Sequence, residues 1–342
     1  MADYMLAPDQ DVVVSSRVRL ARNFADIPFV HKQDEVHAET CIRRVASVVL
    51  DGREGSAYAL YRMNEMDEIS RLELSEHRLI SNELMKNVDH GAALISSGRN
   101  VSVMINEDDH IRIQAIMPGN QLDRSAALAF QVDDAIGAKY QLAFDAQLGY
   151  LTSFPTDVGT GLRASVALHL PALTAARQTG PVMQAVSKLG LTLRGFYGEG
   201  SDARGNIYLL TNQASLGRSE DDMLRSVSAA VEQIVGHERQ MREKAEKTDM
   251  LALQDKLMRS LGELMYARMM NAKEMYKRLS DIRYAASMGY AHAPIMAIDE
   301  LMQDLQTGSL KMKTGKDMND RGIDVLRANI IRKKLVELQR MD

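Results

Sequence analysis

The chain has 342 residues, 45% of them hydrophobic and 26% charged, the balance of a folded globular protein large enough for one big domain or two smaller ones. A disordered or fibrous chain is excluded. The formal net charge of −4 gives no global reason to bind nucleic acid or an anionic membrane, so basic residues matter only where they are focused locally.

The opening MADYMLAPDQD has no basic start followed by an apolar stretch, and no apolar run in the chain reaches bilayer length. A cytoplasmic location is expected. From Asp11 to about Asn212, short β-rich runs alternate with helical stretches, beginning with VVVSSRVRL. ETCIRRVASVVL repeats apolar residues at helical spacing and carries the single cysteine, Cys41, which reads as a small buried core residue. VSVMI and HIRIQAIM flank a short acidic turn and alternate on both sides of it, the pattern of an antiparallel hairpin. SVALHLPAL and IYLLTNQ complete this mixed α/β portion. Ser219, Glu220 and Asp221 then form a capped helix start, and the chain continues to Arg283 with little glycine and no proline. Met258, Met265 and Met269 fall on one helical face and read as core packing. Thr307 to Arg321, rich in Gly, Lys and Asp, reads as a loop leading into a last helix from about Ile323 to Met341. Two domains follow, spanning residues 11–220 and 221–342.

Three segments put arginine beside small residues at strand ends: SSRVRLARN, PTDVGTGLRAS and RGFYGEGS. A further arginine, Arg112, follows the acidic turn in NEDDHIR. Taken singly, each reads as a solvated surface residue. Converging from several elements, they make a fork-shaped clamp for a polyphosphate, with glycines that let backbone N–H groups come close. There is no GxxxxGK[ST], so this is not a P-loop, and without an HExxH or a Cys/His cluster no protein-held metal site is expected.

In order and spacing, SSRVRLARN, NEDDHIRIQ, PTDVGTGLRASVALHLPAL and RGFYGEGS resemble the signature blocks of the phosphagen kinases. IRIQAIMPGNQL, the short N-terminus and the added helical tail are most similar to the protein-arginine kinases of that superfamily. The resemblance implies an α+β fold, a large and mainly antiparallel sheet flanked by helices, for residues 11–220. A helical C-terminal domain over 221–342 would mediate dimerisation. It also implies ATP and Mg²⁺ as cofactors. The nucleotide would be held by Ser15, Ser16, Arg17, Val18 and Arg19, by Arg112, by Arg163, Ala164, Ser165, Val166 and Ala167, and by Arg194, Gly195, Phe196, Tyr197, Gly198 and Glu199. Arg78 occupies the place of a family histidine near the nucleotide, with His77 beside it.

On the acceptor side, the resemblance implies that Asp108 and Glu199 hold and deprotonate the guanidine. Asp108 replaces a glutamate of relatives, and with reach one methylene shorter it is expected to cost on the order of a hundredfold in rate. Glu107 is expected on the other face of the strand. Phe154 stands where relatives have a cysteine, and either fills the acceptor pocket or marks a rearranged loop. In the tail, Asp324 and Arg327 match a phosphoarginine-binding RDxxRA motif whose first arginine is here Ile323; an ordinary surface salt bridge is the alternative. The function implied is ATP-dependent phosphorylation of arginine side chains in proteins, linked to stress response and protein quality control. The alternative is a weakened or inactive pseudokinase acting as a nucleotide- or phosphoarginine-binding adaptor. Implied partners are substrate proteins with exposed arginine, a zinc-binding activator, a stress-gene repressor, a Clp-type protease complex and a second copy of the chain.

Overall fold

The computed structural model describes residues 7–51, 57–196, 203–315 and 318–338. Alternation in VVSSRVRLAR makes β1 (Val13–Arg22) a two-faced strand: Ser16, Val18 and Leu20 are buried on one side, with Ser15, Arg17 and Arg19 on the other. Next, α1 (Glu35–Val49) starts at Asp34, whose side chain accepts from His37 N, and buries Ala38, Cys41, Ile42, Val45 and Val49 at helical spacing. Cys41 is the expected core residue, and burial pushes its thiol up to about 12.

β2 (Tyr58–Arg62), α2 (Glu68–Glu76), α3 (Asn82–Lys86) and β3 (Ala92–Ser96) follow. β4 (Val101–Ile105) and β5 (Ile111–Pro118) are the expected hairpin, paired antiparallel from Ile105 opposite Ile111. After α4 (Leu122–Gly137), the short β6 (Phe144–Asp145) and β7 (Gly149–Tyr150) pair with each other. The chain returns through β8 (Leu162–His169), α5 (Pro171–Ala175), α6 (Thr179–Ser187), β9 (Leu191–Gly195) and β10 (Ile207–Asn212). Among the described residues the main sheet runs β2-β3-β4-β5-β1-β8-β10-β9, antiparallel at every pairing.

The remainder is helical: α7 (Glu220–Thr248), α8 (Met250–Tyr266), α9 (Ala272–Ser287), α10 (Ile295–Asp304), α11 (Thr307–Thr314) and α12 (Asp320–Leu338). Ser219 caps α7, accepting from Asp222 N at 3.1 Å. The buried face of α7, including Val227, Val231 and Ile234, lies in the sheet's own core beside Val18, Val166 and Leu210. A second core, built by α8 to α12, touches the opposite face of the sheet through Ala167, Ile207 and Val14.

Two sequence readings are corrected here. Residues 307–314 are a helix, not a loop, because their first turn is capped from α2 and Leu310 is buried in the second core. Met258 and Met269 are exposed, while Met265 is partly buried against the second core as expected; α8 buries Leu257 and Leu264 more fully, one position out of phase with the methionines, and it ends before Met269.

Buried charge joins the parts. Glu238 of α7 accepts from Ala172 N at 3.0 Å and Leu173 N at 2.9 Å, capping α5, whose own N-cap Leu170 has no side-chain acceptor. Arg242 Nε donates to the same carboxylate at 2.8 Å. Glu238→Ala is expected to destabilise the fold by about 3–5 kcal/mol, because it strands a buried guanidinium and two N–H groups. The urea midpoint reads the loss, and a change below about 1 kcal/mol would mean that both find other partners.

Candidate active site

Directly opposed residues of antiparallel strands share a face of the sheet. Arg17 lies opposite Ser165, Arg19 opposite Arg163, and Ala21 opposite Arg112. Leu209 lies opposite both Ala167 and Arg194. Ser15, Arg17, Arg19, Arg112, Arg163, Ser165, Ala167 and Arg194 therefore lie on one face, across β5, β1, β8 and β9. Ser16, Val18, Ala164 and Val166 lie on the other. Ser16 Oγ donates to Gly119 O at 2.8 Å, while Val18, Ala164 and Val166 are core residues. Their side chains turn away from any ligand held by the arginines.

The arginines repel one another. Burial, then the charges of Arg78, Arg112, Arg194 and Arg163, bring Arg17 down to about 9. Burial with Arg17, Arg112 and Arg163 holds Arg19 well below the usual arginine range, against a smaller opposing pull from Glu107. Arg19 Nε is buried with no hydrogen-bond partner among the described residues. An orphaned donor amid converging positive charge fits a polyanion with several oxygen acceptors. Two of the forks are held by carboxylates: Arg163 pairs with Asp157, with Thr156 Oγ1 at 3.3 Å, and Arg112 pairs with Glu107, with Asp108 at 3.7 Å.

Arg78 reaches the same region from the end of α2, its guanidinium 3.4 Å above the Phe196 ring. Gly195 ends β9, opposite Tyr208. Tyr197, Gly198 and Glu199 lie outside the described residues. The glycines of PTDVGTGLRAS answer a packing need: at Gly161, with φ of 63°, a Cβ would meet Ala21 O and Arg22 Nη1 at 2.6 Å.

The acidic segment is a turn. Asn106, with φ of 56°, begins it and donates to Ala38 O at 3.0 Å and His90 O at 2.9 Å. Glu107 consequently folds back onto Arg112 instead of pointing across a strand, and Asp108 N donates to it at 3.0 Å. Burial pushes Glu107 up most strongly, but the Arg112 charge together with hydrogen bonds from Ser81, Asp108 N and Arg112 outweighs it and keeps the group below the usual range. Asp108 is 31% exposed at its side chain, and burial with the neighbouring Glu107 charge raises it to about 6. A half-open carboxylate titrating near neutrality suits proton acceptance.

The turn is welded to the 151–154 loop by residues that sequence reasoning did not single out. Asn23 Nδ2 donates to Asp109 Oδ1 at 2.7 Å, Asn23 Oδ1 accepts from His110 N at 2.9 Å, and Asp109 also accepts from Ser153 N at 2.7 Å. Ser153 Oγ donates to Asp108 O at 2.7 Å. Asn23, Asp109 and His110 lie inside SSRVRLARN and NEDDHIR, but Ser153 lies outside both, and nothing in the sequence shows that these segments meet. Phe154, next in the loop, is 49% exposed and so is not wedged into the protein interior.

Asp324 and Arg327 lie apart from this face. Arg327 is 1% exposed, and its guanidinium donates to Leu305 O and Met270 O at 2.8 Å, to Asp324 at 2.5 Å and weakly to Thr307 Oγ1. The pair is thus a buried clip among the C-terminal helices instead of a surface salt bridge, and an incoming phosphate would have to displace these acceptors. Ile323 is a core residue.

Residues 41–241 match the family model described as the ATP:guanido phosphotransferase C-terminal catalytic domain, and residues 250–342 the one described as the protein-arginine kinase McsB C-terminal domain. The chain is 39% identical to a protein-arginine kinase of Caldanaerobacter subterraneus subsp. tengcongensis, over 97% of this chain and 99% of that one. It is 41% identical to a protein-arginine kinase of Geobacillus stearothermophilus, over 96% of this chain and 91% of that one. The solved structure of the substrate-free duplicated taurocyamine kinase from Schistosoma mansoni shares the fold, with a TM-score of 0.59 and 24% identity over 66% of this chain and 33% of that one.

Proposed function

This chain belongs to the protein-arginine kinases of the ATP:guanido phosphotransferase family, and on that footing we propose how its residues phosphorylate arginine side chains of proteins with ATP. The observation that carries the proposal is the single face bearing Arg17, Arg19, Arg112, Arg163 and Arg194 beside a carboxylate raised to about 6.

Bound ATP supplies the γ-phosphoryl group, and Mg²⁺ accompanying it neutralises phosphate charge. The five arginines hold the phosphates from several directions and stabilise charge shifting toward the β-phosphate as the bridging O–P bond breaks. Arg78 and Phe196 flank the nucleotide. Asp108 orients the acceptor guanidinium and takes the proton that leaves its nitrogen as the N–P bond forms. Glu199 shares that task by resemblance. Ser16, Val18, Ala164 and Val166 serve the nucleotide only by holding the strands.

No helix among the described residues is long and apolar enough to cross a membrane. A cytoplasmic setting in stress response and protein quality control belongs to the proposal. So do pairing with a second copy, the zinc-binding activator, the repressor and the Clp-type protease. So does a division of labour between a catalytic unit beginning near residue 11 and the helical C-terminal unit.

The test is incubation with MgATP and an arginine-rich unfolded protein, reading acid-labile phosphoarginine by mass spectrometry at neutral pH. Phosphoarginine that disappears in Glu199→Gln is the expected result. Tight ATP binding without transfer, with or without an activator, would establish the adaptor reading that Phe154 motivates.

A further inference from the structure

Arg78 occupies an unusual place. Helix α2 ends at Glu76, and Arg78 N donates to Ser75 O and Leu79 N to Leu74 O, both at 2.9 Å. Arg78 has a φ of 61°, at the left-handed position after a helix where glycine is usual. An arginine there is disfavoured, so the surrounding structure must impose the conformation. From the sheet, Gln114 Nε2 donates to Arg78 O at 2.5 Å, and Ser102 Oγ donates to Leu79 O.

From the other side, the C-terminal helices hold the residues just before it. Gln306, the N-cap of α11, has no side-chain cap bond of its own. Glu76 supplies the acceptors instead: Gly308 N donates to Oε1 and Ser309 N to Oε2, each at 2.8 Å, and Ser309 Oγ adds a bond at 3.1 Å. A carboxylate at a helix N-terminus satisfies orphan donors and matches the helix dipole. Gln306 Nε2 donates to Glu76 O at 3.2 Å, and Gln303 Nε2 makes a weak 3.4 Å bond to His77 O. The approach is close enough that a Cβ on Gly308 would stand 2.7 Å from Leu72 Cγ and 3.0 Å from Glu76 Oε2.

We propose that Glu76 is a positioning residue for the nucleotide site: by capping α11 it fixes the end of α2 from which Arg78 reaches over Phe196, so nucleotide affinity depends on the C-terminal helices. The proposal rests on the reading that Arg78 flanks the nucleotide, and adds the element that places it.

ADP binding to the full chain, measured by calorimetry, tests it without requiring phosphoryl transfer. Glu76→Ala is expected to weaken ADP about five- to tenfold, as if Arg78 were competent in only a tenth to a fifth of the molecules. The KM for ATP should rise equally, with kcat within about twofold. Arg78→Ala should weaken ADP comparably, and the double variant should be no weaker than Arg78→Ala alone. Gly308→Ala, which wedges the same contact from α11, carries the same expectation and replaces Glu76→Ala should that variant not fold. A lowered melting temperature with unchanged ADP affinity would make Glu76 merely structural and overturn the proposal. Fully additive losses would overturn the route through Arg78. Failure of the wild-type chain to bind ADP would overturn the nucleotide reading together with this inference.

Discussion

Replacing Asp108 by asparagine is expected to lower kcat by about 10²- to 10⁴-fold, the usual contribution of a positioned general base, with little loss of ADP affinity. The side chain keeps its size, and the arginines of the sheet face are untouched. Asp108 also sets a pH dependence. Burial and the Glu107 charge raise it to about 6, so below that pH the carboxyl is protonated and can accept nothing from the guanidinium. The wild-type rate should fall as pH drops through about 6, and the residual rate of Asp108→Asn should lack that limb. Stability moves in the opposite sense: a raised carboxyl binds its proton more tightly folded than unfolded, so ionising it weakens the fold as pH rises toward 6. The asparagine variant should therefore melt slightly higher than wild type at pH 7 and not at pH 4. A kcat change under threefold, or an unmoved acid limb, would give the base role to another group, with Glu199 the first candidate.

The arginine face was legible because strand alternation is short-range: in SSRVRLARN, every second residue must share a side, and Arg17 and Arg19 do. The same rule turns the side chains of Ser16, Val18, Ala164 and Val166 to the opposite face. The resemblance carries them as parts of contiguous blocks, while a strand shows a ligand only alternate side chains. Strand alternation places Glu107 on a strand face, but the chain there is a turn begun by Asn106 at positive φ, a conformation that asparagine permits but does not announce. Helix α11 was hidden for a different reason. Its composition favours a loop, and the acceptors that cap it come from Glu76, 232 residues before Gly308. Polar residues near a site are readable when their partner is local. Asn23, Asp109 and Ser153, which join three separate segments, are not.

Arg19→Met is expected to raise stability and remove function together. Arg19 sits on a central strand between Gln114 and Arg163, with a buried Nε that has no partner among the described residues and positive charge on several sides. Removing a poorly compensated, partly buried charge and filling its space with an apolar chain should stabilise the fold by about 1–3 kcal/mol, a rise of about 2–5 °C in melting temperature. The same change should lower kcat/KM for ATP on the order of 10³-fold, because arginine acts on phosphoryl-transfer charge where no apolar side chain can. Thermal unfolding and steady-state kinetics on one preparation decide it. A variant that melts lower and keeps its activity would make Arg19 a structural residue. The opposite signs follow from one cause: guanidinium groups gathered on one sheet face repel one another, so the face proposed to serve transfer is also a source of instability that a bound polyanion would relieve.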